Sequence, residues 1–350
     1  MGTLKNNVRC FVKKSVNSLA SIVRREVLVL LYHRIINLDV DSQLLAVSPE
    51  NFESQLRYLE KNFNVISYEE LVDALKKDKL PSKSVCITFD DGYLDNLEVA
   101  KPLLEKHGLP CLFFIATGYI GKVREFWWDE LEQYFLCNHE LPKNISIERG
   151  DSKIDFSLAP WDNLDKDKSI VLRNWNAAQD ASNNPRLEAF LSCQKLLKTL
   201  DINERENCLN QLWEQCSEAP VCRQSYRAMH KEELIRFNAS PLFTFGAHTV
   251  NHCALSKLPY KRMKQEIVAS KNELGKIINE NTVTFSYPFG FSENYGQDAV
   301  QVVDEAGFES AFSVNSCRVD RHSNIFEIPR FQVPDLSGDN FRKWLHSVYG

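Results

Sequence analysis

Two adjacent carboxylates end an apolar stretch of the chain, VCITFDDGY at residues 85–93. The β-branched, apolar run predicts a buried strand of a parallel sheet, and the carboxyl end of such a strand is the rim where α/β proteins carry out chemistry. Because neighbouring side chains of an extended chain point in opposite directions, we expect Asp90 and Asp91 to have different roles, one as a metal ligand and one in proton transfer. The same residues are also typical of a surface turn.

A second apolar stretch, FTFGAHTVNH at residues 243–252, ends in His248 and His252. One carboxylate and two imidazoles suit Zn²⁺ or a similar divalent ion, and three protein ligands leave a position open for water. Taken alone, the two histidines are also compatible with polar residues at a strand end that bind nothing. A third stretch, FSYPFG at residues 285–290, again runs from a strand into a turn.

Together the three stretches resemble the polysaccharide deacetylase family, whose domain is the NodB homology domain (carbohydrate esterase family 4-like). The family motifs are T-F-D-D-G, then H-[ST]-x-x-H, then an aromatic-Pro-aromatic-Gly turn, and all occur here in that order. The first two matches are specific, and the third is looser. The resemblance covers residues 26–118 and 226–335 and implies an α/β fold, a distorted (β/α) barrel of NodB type.

The resemblance also implies the site. By it, Asp91, His248 and His252 are the metal ligands and Asp90 is the catalytic base. The family reaction is hydrolysis of an N-acyl group, in which a base takes a proton from water and an acid protonates the departing amine.

The aromatic turn has two residues of interest. By resemblance, the backbone N–H of Phe289 faces the oxyanion of the tetrahedral intermediate. Tyr287, in the same turn, is a candidate for substrate binding.

The chain also departs from the family pattern. The third motif usually carries an arginine that orients the catalytic aspartate, and the matching residue here is Ser286. The usual Asp-containing fourth motif is missing. The late Leu-x-His that supplies the general acid has no good match, since Leu345 and His346 lie in a predicted terminal helix and His322 follows a charged loop.

One branch of the family resembles this chain at its start, with an apolar strand ending in Tyr-His followed by Ser-Pro-Glu-x-Phe. Its members resemble circular permutations of the more familiar order, with the acid histidine on the first strand. That places the acid at His33, although a purely structural strand-end histidine is the alternative. Arg330, at the end of the last strand, is a candidate replacement for the missing arginine as the partner of Asp90, or else an ordinary salt bridge.

Strand and helix signals alternate in the two parts of the chain that resemble the family, which predicts parallel strands joined by right-handed crossovers. Ser48 and Pro49 are expected to begin one helix as N-cap and first residue. Ser67 and Glu70 form the capping box of the next. The last strand of the core is expected near residues 325–333.

The alternation stops between residues 119 and 225, which we interpret as a mostly helical insertion that flanks the active site. The predicted barrel is then residues 26–118 and 226–350. Trp127 and Trp128 in the insertion are candidates for stacking on sugar faces, because an aromatic ring complements the C–H face of a pyranose. The alternative is that both tryptophans pack the insertion onto the barrel.

Residues 1–25 form a separate segment with six basic and no acidic residues. Its apolar residues fall near one helical face, which predicts a basic amphipathic helix. Such a helix favours peripheral contact with an anionic membrane surface, and a helix docked on the protein body is the alternative.

The whole chain has 350 residues, 43% of them hydrophobic, and a net charge of −5. The negative charge argues against nucleic acid as a partner. No apolar run reaches the roughly 18 residues of a transmembrane helix, and no signal peptide is recognised. Ten cysteines without a C-x-x-C pair indicate reduced thiols. We therefore expect a cytoplasmic protein, with peripheral contact at the inner membrane face through residues 1–25. The oligomeric state cannot be read from the sequence.

The expected function is metal-dependent removal of an N-acetyl or N-formyl group from an amino sugar in a glycan, lipid-linked or nucleotide-linked precursor. The expected cofactor is Zn²⁺, with Co²⁺, Ni²⁺ or Fe²⁺ as alternatives for an Asp-His-His site. Two other functions remain open: hydrolysis of a non-sugar amide or cyclic imide on the same fold, and a carbohydrate-binding domain without catalysis.

Overall fold

A computed structural model describes residues 25–178, 180–216 and 219–349. The predicted amphipathic segment at residues 1–25 therefore lies almost wholly outside the described residues. The strands, numbered in chain order, are β1 Val27–Tyr32, β2 Arg34–Ile35, β3 Ala46–Val47, β4 Asn64–Val65, β5 Ser84–Phe89, β6 Cys111–Ile115, β7 Asn144–Arg149, β8 Ser152–Ser157, β9 Phe243–Ala247, β10 Thr284–Ser286, β11 Ser310–Phe312 and β12 Phe331–Gln332.

The α-helices of the described residues alternate with these strands except in the middle of the chain. They are α1 Pro49–Asn62, α2 Tyr68–Lys76, α3 Lys101–His107, α4 Trp127–Glu132, α5 Lys166–Asn174, α6 Pro185–Leu197, α7 Ile202–Glu214, α8 Lys231–Asn238, α9 Tyr260–Ile278, α10 Ser292–Glu305 and α11 Gly338–Tyr349.

The main sheet is parallel, in the order β11-β10-β9-β6-β5-β1-β12, with β4 also paired to β5. Its two ends approach each other in the segment before β12. There Ile328 bridges to Phe312 of β11, and Phe331 pairs with Leu30 of β1. The sheet therefore curves round on itself, and the predicted barrel-type α/β fold class is confirmed.

Alternate residues of each strand face the helices or the barrel axis. In β5, Ile87 packs in the cluster beneath the helices, whereas Cys86 packs in a second cluster with Phe114 and Phe312 inside the barrel. The interior is tight, since a Cβ on Gly246 would lie 2.5 Å from the ring of Phe114. Continuing the alternation places the residue after β5 on the barrel axis, at the rim.

Two predicted helix starts differ in their detail. Ser67 and Glu70 form the expected capping box of α2. Ser48 precedes α1 as expected, but its side chain makes no capping hydrogen bond. Its hydroxyl donates instead to Asp335 at 2.9 Å, so it ties the start of α1 to the loop after β12.

The predicted strand over residues 325–333 is wrong in extent. Only Phe331–Gln332 is regular strand, since Pro329 has no N–H to contribute to a ladder. Ile328 still donates to the carbonyl of Ala311 at 2.8 Å, so the segment stays against β11 without a continuous ladder.

The middle of the chain has a hydrophobic core of its own. The β7–β8 hairpin and helices α4 to α7 bury a cluster that includes Phe135, Phe190 and Leu212. Tyr93, just after β5, and Ala228, where the chain re-enters the barrel, belong to the same cluster and form an antiparallel bridge. No helix of the described ranges is both long and apolar enough to span a bilayer.

Candidate metal centre and active site

Three side chains from two strand ends meet at the rim of the barrel. Asp91 follows β5, and His248 and His252 follow β9. One ligand atom from each lies within 4.8 Å of the other two, and all three residues are buried. The Nε2 atoms of His248 and His252 lie 3.6 and 3.4 Å from Oδ1 of Asp91. These separations leave room for one ion between the three donors.

The backbone at Asp91 explains how both aspartates reach one site. Its φ is 76°, in the left-handed region, so the chain turns sharply after Asp90. The expectation that the two side chains point in opposite directions holds for an extended chain and is wrong here. His248 Nε2 lies 3.8 Å from a carboxylate oxygen of Asp90 as well as close to Asp91.

The charges of this cluster favour a bound cation. Burial and the neighbouring Asp90 raise the pKa of Asp91 well above its usual value. Burial lowers the pKa of His248 and, more strongly, that of His252, so both imidazoles are neutral, the form that binds a metal. Within the described residues, Oδ1 of Asp91 is buried without a hydrogen-bond donor. The residues therefore fit a divalent ion, which would satisfy that oxygen.

A hydrogen bond from the ring nitrogen that faces away from Asp91 fixes the orientation of His248. Its Nδ1 lies 2.7 Å from the carbonyl oxygen of Ser286 and donates to it, which leaves Nε2 facing Asp91. A histidine that ligates a metal is typically held in this way, because the hydrogen bond selects the tautomer.

Asp90 is held by a buried arginine. Both terminal nitrogens of Arg330 donate to its two carboxylate oxygens at 2.7 Å, and the hydroxyl of Ser286 donates to one of them at 3.1 Å. Burial alone would raise the pKa of Asp90, but the charge and hydrogen bonds of Arg330, together with nearby His248 and His33, outweigh burial and lower it to about 2. The expected pairing of Arg330 with Asp90 is present, and Ser286, where the family usually has arginine, contacts both partners.

His33 lies beside Asp90 because β1 and β5 are in register. Tyr32 pairs with Phe89, and the N–H of Asp90 donates to the carbonyl of Tyr32 at 3.0 Å, so the next residue of each strand is at the same level. His33 lines one cavity with Asp90 and Asp91. Burial lowers the pKa of His33 to about 4 despite the opposing charge of Asp90.

Backbone strain is concentrated around this cavity. Asp91, Thr249, His252 and Phe289 all have positive φ, between 48° and 76°. Such conformations cost on the order of 1–3 kcal/mol for residues other than glycine and cluster at functional sites. The ring of Phe289 packs 4.8 Å from that of His252, so the aromatic turn forms one wall of the metal site.

The cavity has a volume of about 230 Å³. Trp128 lines it, but its ring is almost fully buried against His252 and its Nε1 donates to Tyr93 at 2.7 Å. Trp128 therefore packs beside a metal donor, and little of its ring is exposed for stacking on a sugar. Trp127 does not line the cavity; it is buried in the core of the insertion, with the guanidinium of Arg205 5.2 Å from its ring.

Tyr287 also lies away from the cavity. Its ring stacks on Tyr295 at 4.1 Å, and its hydroxyl donates to the carbonyl of Phe326. The alternation along β10 turns its side chain under the helices. His346 contacts Tyr58 on the far α1–α11 face, in agreement with its dismissal as the acid.

Several residues that line the cavity were not predicted from the sequence, and Phe291 and Lys198 are two of them. Phe291 is 48% exposed beside the aromatic turn, and its proximity to Phe289 in sequence was a usable signal. Lys198, at the end of α6, also lines the cavity. Nothing local marks it, since it comes from the insertion.

A parallel α/β barrel with an Asp-His-His cluster and a second, ion-paired aspartate defines a candidate metal-dependent hydrolase. Comparison with known proteins agrees. The family model described as polysaccharide deacetylase matches residues 77–142 and 210–311. YxkH of Bacillus subtilis, a protein assigned to the polysaccharide deacetylases, is 33% identical over 323 residues, which is 91% of this chain and 76% of YxkH.

Two further likenesses point the same way. The poly-β-1,6-N-acetyl-D-glucosamine N-deacetylase of Staphylococcus aureus is 37% identical over 78 residues, 22% of this chain and 27% of that enzyme. The solved structure of the Streptococcus pyogenes deacetylase PplD in complex with acetate aligns with 91% of this chain and 97% of its own, with a TM-score of 0.54 and 18% identity. The chain belongs to the polysaccharide deacetylase family, an enzyme family whose substrates are acetylated polysaccharides.

Proposed function

We propose that this protein removes N-acetyl groups from amino sugars of a glycan by metal-dependent hydrolysis. The observation that carries the proposal is the convergence on one cavity of the Asp91, His248 and His252 donors, the Asp90–Arg330 pair and His33. A binding domain would need donors for a sugar, but it would not need a buried carboxylate held beside a metal site.

A divalent ion held by the three donors would polarise the acyl carbonyl and lower the pKa of a bound water. The residues around it would then handle protons. Asp90 is ionised and fixed by Arg330, so its carboxylate is aimed at one place and can accept the proton of the attacking water. Arg330 keeps that carboxylate charged and acts as a positioning residue.

His33 is our candidate for the general acid. With a pKa of about 4, its imidazole is neutral at pH 7 in the free site. To serve as the acid it must therefore gain a proton after substrate binds and pass it to the departing amine. Its place beside Asp90, on the adjacent strand, supports such a transfer across the cavity.

Two further features complete the site. We propose that the N–H of Phe289 faces the oxyanion, which its left-handed turn next to His252 supports. We also propose that the chain belongs to the permuted branch of the family. The support is that His33 stands at the end of the first described strand and in the same cavity as the metal donors.

The native metal is Zn²⁺ in this proposal, since two imidazoles and one carboxylate with an open position are typical of catalytic zinc. N-acetylglucosamine units are the proposed substrate, as the name of the Staphylococcus aureus relative suggests. Phe291, half exposed at the cavity mouth, is a more accessible platform for a sugar ring than either tryptophan.

The deciding experiment compares Asp90→Asn with Asp91→Ala. Purified proteins are assayed for bound metal and for acetate released from N-acetylglucosamine oligomers. We expect Asp90→Asn to lower kcat by about 10²–10⁴-fold with its metal retained, because a general base contributes that much. Asp91→Ala should lose both the metal and turnover.

The control is Asp73→Asn, which changes an exposed aspartate paired with Lys77 and should leave both readouts unchanged. Wild-type turnover in Asp90→Asn would refute the assignment of the base. Metal bound by the wild type without release of acetate from any N-acetylglucosamine oligomer would refute the proposed function.

A further inference from the structure

Lys198 is the one lysine or arginine among the described residues that line the active-site cavity. It is half-buried, and its Nζ lies 4.2 Å from the centroid of the Phe289 ring. In the part of the chain that the structure describes, this ammonium forms neither an ion pair nor a hydrogen bond. Apart from its contact with the Phe289 ring, the ammonium is therefore available to a ligand in the cavity.

Hydrogen bonds from a neighbouring arginine fix the backbone turn that carries Lys198. The buried Arg205 donates to the carbonyl oxygens of Leu197 and Leu200, both at 3.1 Å, and so fixes the turn on either side of Lys198. The same guanidinium donates to the carbonyl of Asn251 at 3.0 Å, in the loop that carries His252. One arginine thus fastens the lysine-bearing turn of the insertion to the metal-ligand loop of the barrel.

The distances limit what Lys198 can reach. Its Nζ is 4.2 Å from the ring centre of Phe289, which is 4.8 Å from that of His252. Laid end to end, these distances put the ammonium at most 9.0 Å from the His252 ring. That is within reach of a substituent on the monosaccharide being deacetylated or on its neighbour.

The other charges of the cavity have partners in this proposal. Asp90 is paired with Arg330, and Asp91 would be paired with the divalent ion that it holds with the two histidines. An unpaired ammonium at the mouth of such a cavity is best satisfied by an anion on the substrate, since charge-assisted hydrogen bonds are stronger than neutral ones. Burial and nearby Lys257 lower the pKa of Lys198, whereas nearby Glu293 raises it. The half-buried ammonium is only partly hydrated, so a bound anion would supply the interactions that water does not.

We propose that Lys198 makes this enzyme selective for amino-sugar substrates that carry an anionic group, a carboxylate or a phosphate, beside the N-acetyl group. The inference rests on the proposed function and adds a substrate class to it. The barrel supplies the chemistry, and the insertion supplies the charge that selects the substrate.

The test compares three N-acetylglucosamine substrates: a neutral oligomer, the matching sugar with a carboxylate-bearing ether, and the matching sugar phosphate. The wild type should have a higher kcat/KM for at least one anionic substrate than for the neutral one. In Lys198→Met, which keeps an aliphatic chain on Phe289, that ratio should fall about tenfold through KM, with kcat retained. Lys198→Arg should restore most of the ratio.

Lys195→Met is the matched control, because Lys195 is exposed on α6 and does not line the cavity. Its ratio should equal that of the wild type. The anionic substrate whose kcat/KM ratio falls in Lys198→Met shows whether the recognised group is the carboxylate or the phosphate. Equal ratios in wild type and Lys198→Met, or a wild-type preference for the neutral oligomer, would overturn the inference. Absence of acetate from all three substrates would instead count against the proposed function.

Discussion

The barrel and the insertion are each organised around a fully buried arginine, and the two arginines have different partners. In the barrel, Arg330 pairs with the carboxylate of Asp90. In the insertion, Arg186 donates to the backbone carbonyl oxygens of Phe135, Asn138 and Trp161. The first arginine keeps a carboxylate of the candidate site charged, and the second joins three stretches of backbone.

The two arginines therefore have different effects, one on the charge of a side chain and one on the stability of the backbone. A buried ion pair contributes little net stability, because the cost of desolvating both charges offsets their attraction. Its value in the barrel is that Asp90 stays ionised where burial would otherwise neutralise it. Arg186 has no carboxylate partner among the described residues, and burial lowers its pKa to about 10, so it remains a cation at neutral pH and satisfies carbonyl oxygens.

The largest effect should come from removing the proposed acid of the barrel. We expect His33→Ala to lower kcat by about 10²–10⁴-fold, because the departing amine loses its proton donor. Metal content should not change, since His33 is not among the three donors. The control is His346→Ala on the far face, which should have wild-type kinetics. An unchanged rate in His33→Ala would move the acid to another residue.

Arg330→Met should affect both activity and stability. An uncompensated buried carboxylate costs about 3–5 kcal/mol, which urea unfolding would detect. We also expect kcat to fall on the order of 10²-fold, because Asp90 is no longer oriented. If kcat is unaffected while stability falls, Arg330 serves as an ordinary salt bridge and the contrast between the two arginines disappears.

Arg186→Met is the matching change in the insertion. Leaving buried carbonyl oxygens without donors costs roughly 1–3 kcal/mol each, and partial relaxation makes about 3 kcal/mol the expected total loss. At a temperature where the variant is folded, kcat on N-acetylglucosamine oligomers should match the wild type. A kcat loss as large as that of Arg330→Met would show that the insertion takes part in the chemistry.

The smallest effect concerns the ion pair at the return from the insertion to the barrel. The hydrogen bond from Arg227 holds the pKa of Glu233 at about 2, below its usual value of 4.5. A carboxyl whose pKa is lowered in the folded state stabilises the protein above pH 4.5, and that stabilisation is lost as the pH falls through 2.

Glu233→Gln should therefore lower the free energy of unfolding by about 1 kcal/mol at pH 6. The effect is this small because the ion pair is partly exposed to solvent. The difference between variant and wild type should shrink between pH 4.5 and pH 2. Unfolding at pH 6, 4 and 3 measures it, and a difference that stays constant over this range would contradict the assignment.

The sequence by itself determined the chemistry of the barrel. Residues that follow buried parallel strands must meet at one rim, so the Asp-Asp pair and the two histidines could be brought together from their places after apolar runs. The capping box of α2 could also be predicted, because it depends on residues close in sequence. The backbone turn by which Asp91 reaches the same site as Asp90 could not be predicted, because a left-handed conformation breaks the alternation that the strand suggests.

Only the tertiary structure decided the surroundings of the site. Tyr287 and Trp127 have the residue types of a sugar site, yet packing turns both away from the cavity. Phe291 and Lys198 line it, although no local pattern marks the lysine. The alternation and the order of the strands follow from patterns along the chain, so they can be predicted from the sequence. The direction in which a long insertion folds back depends on contacts between residues far apart in sequence, such as Arg205 with Asn251, and no local pattern encodes those contacts.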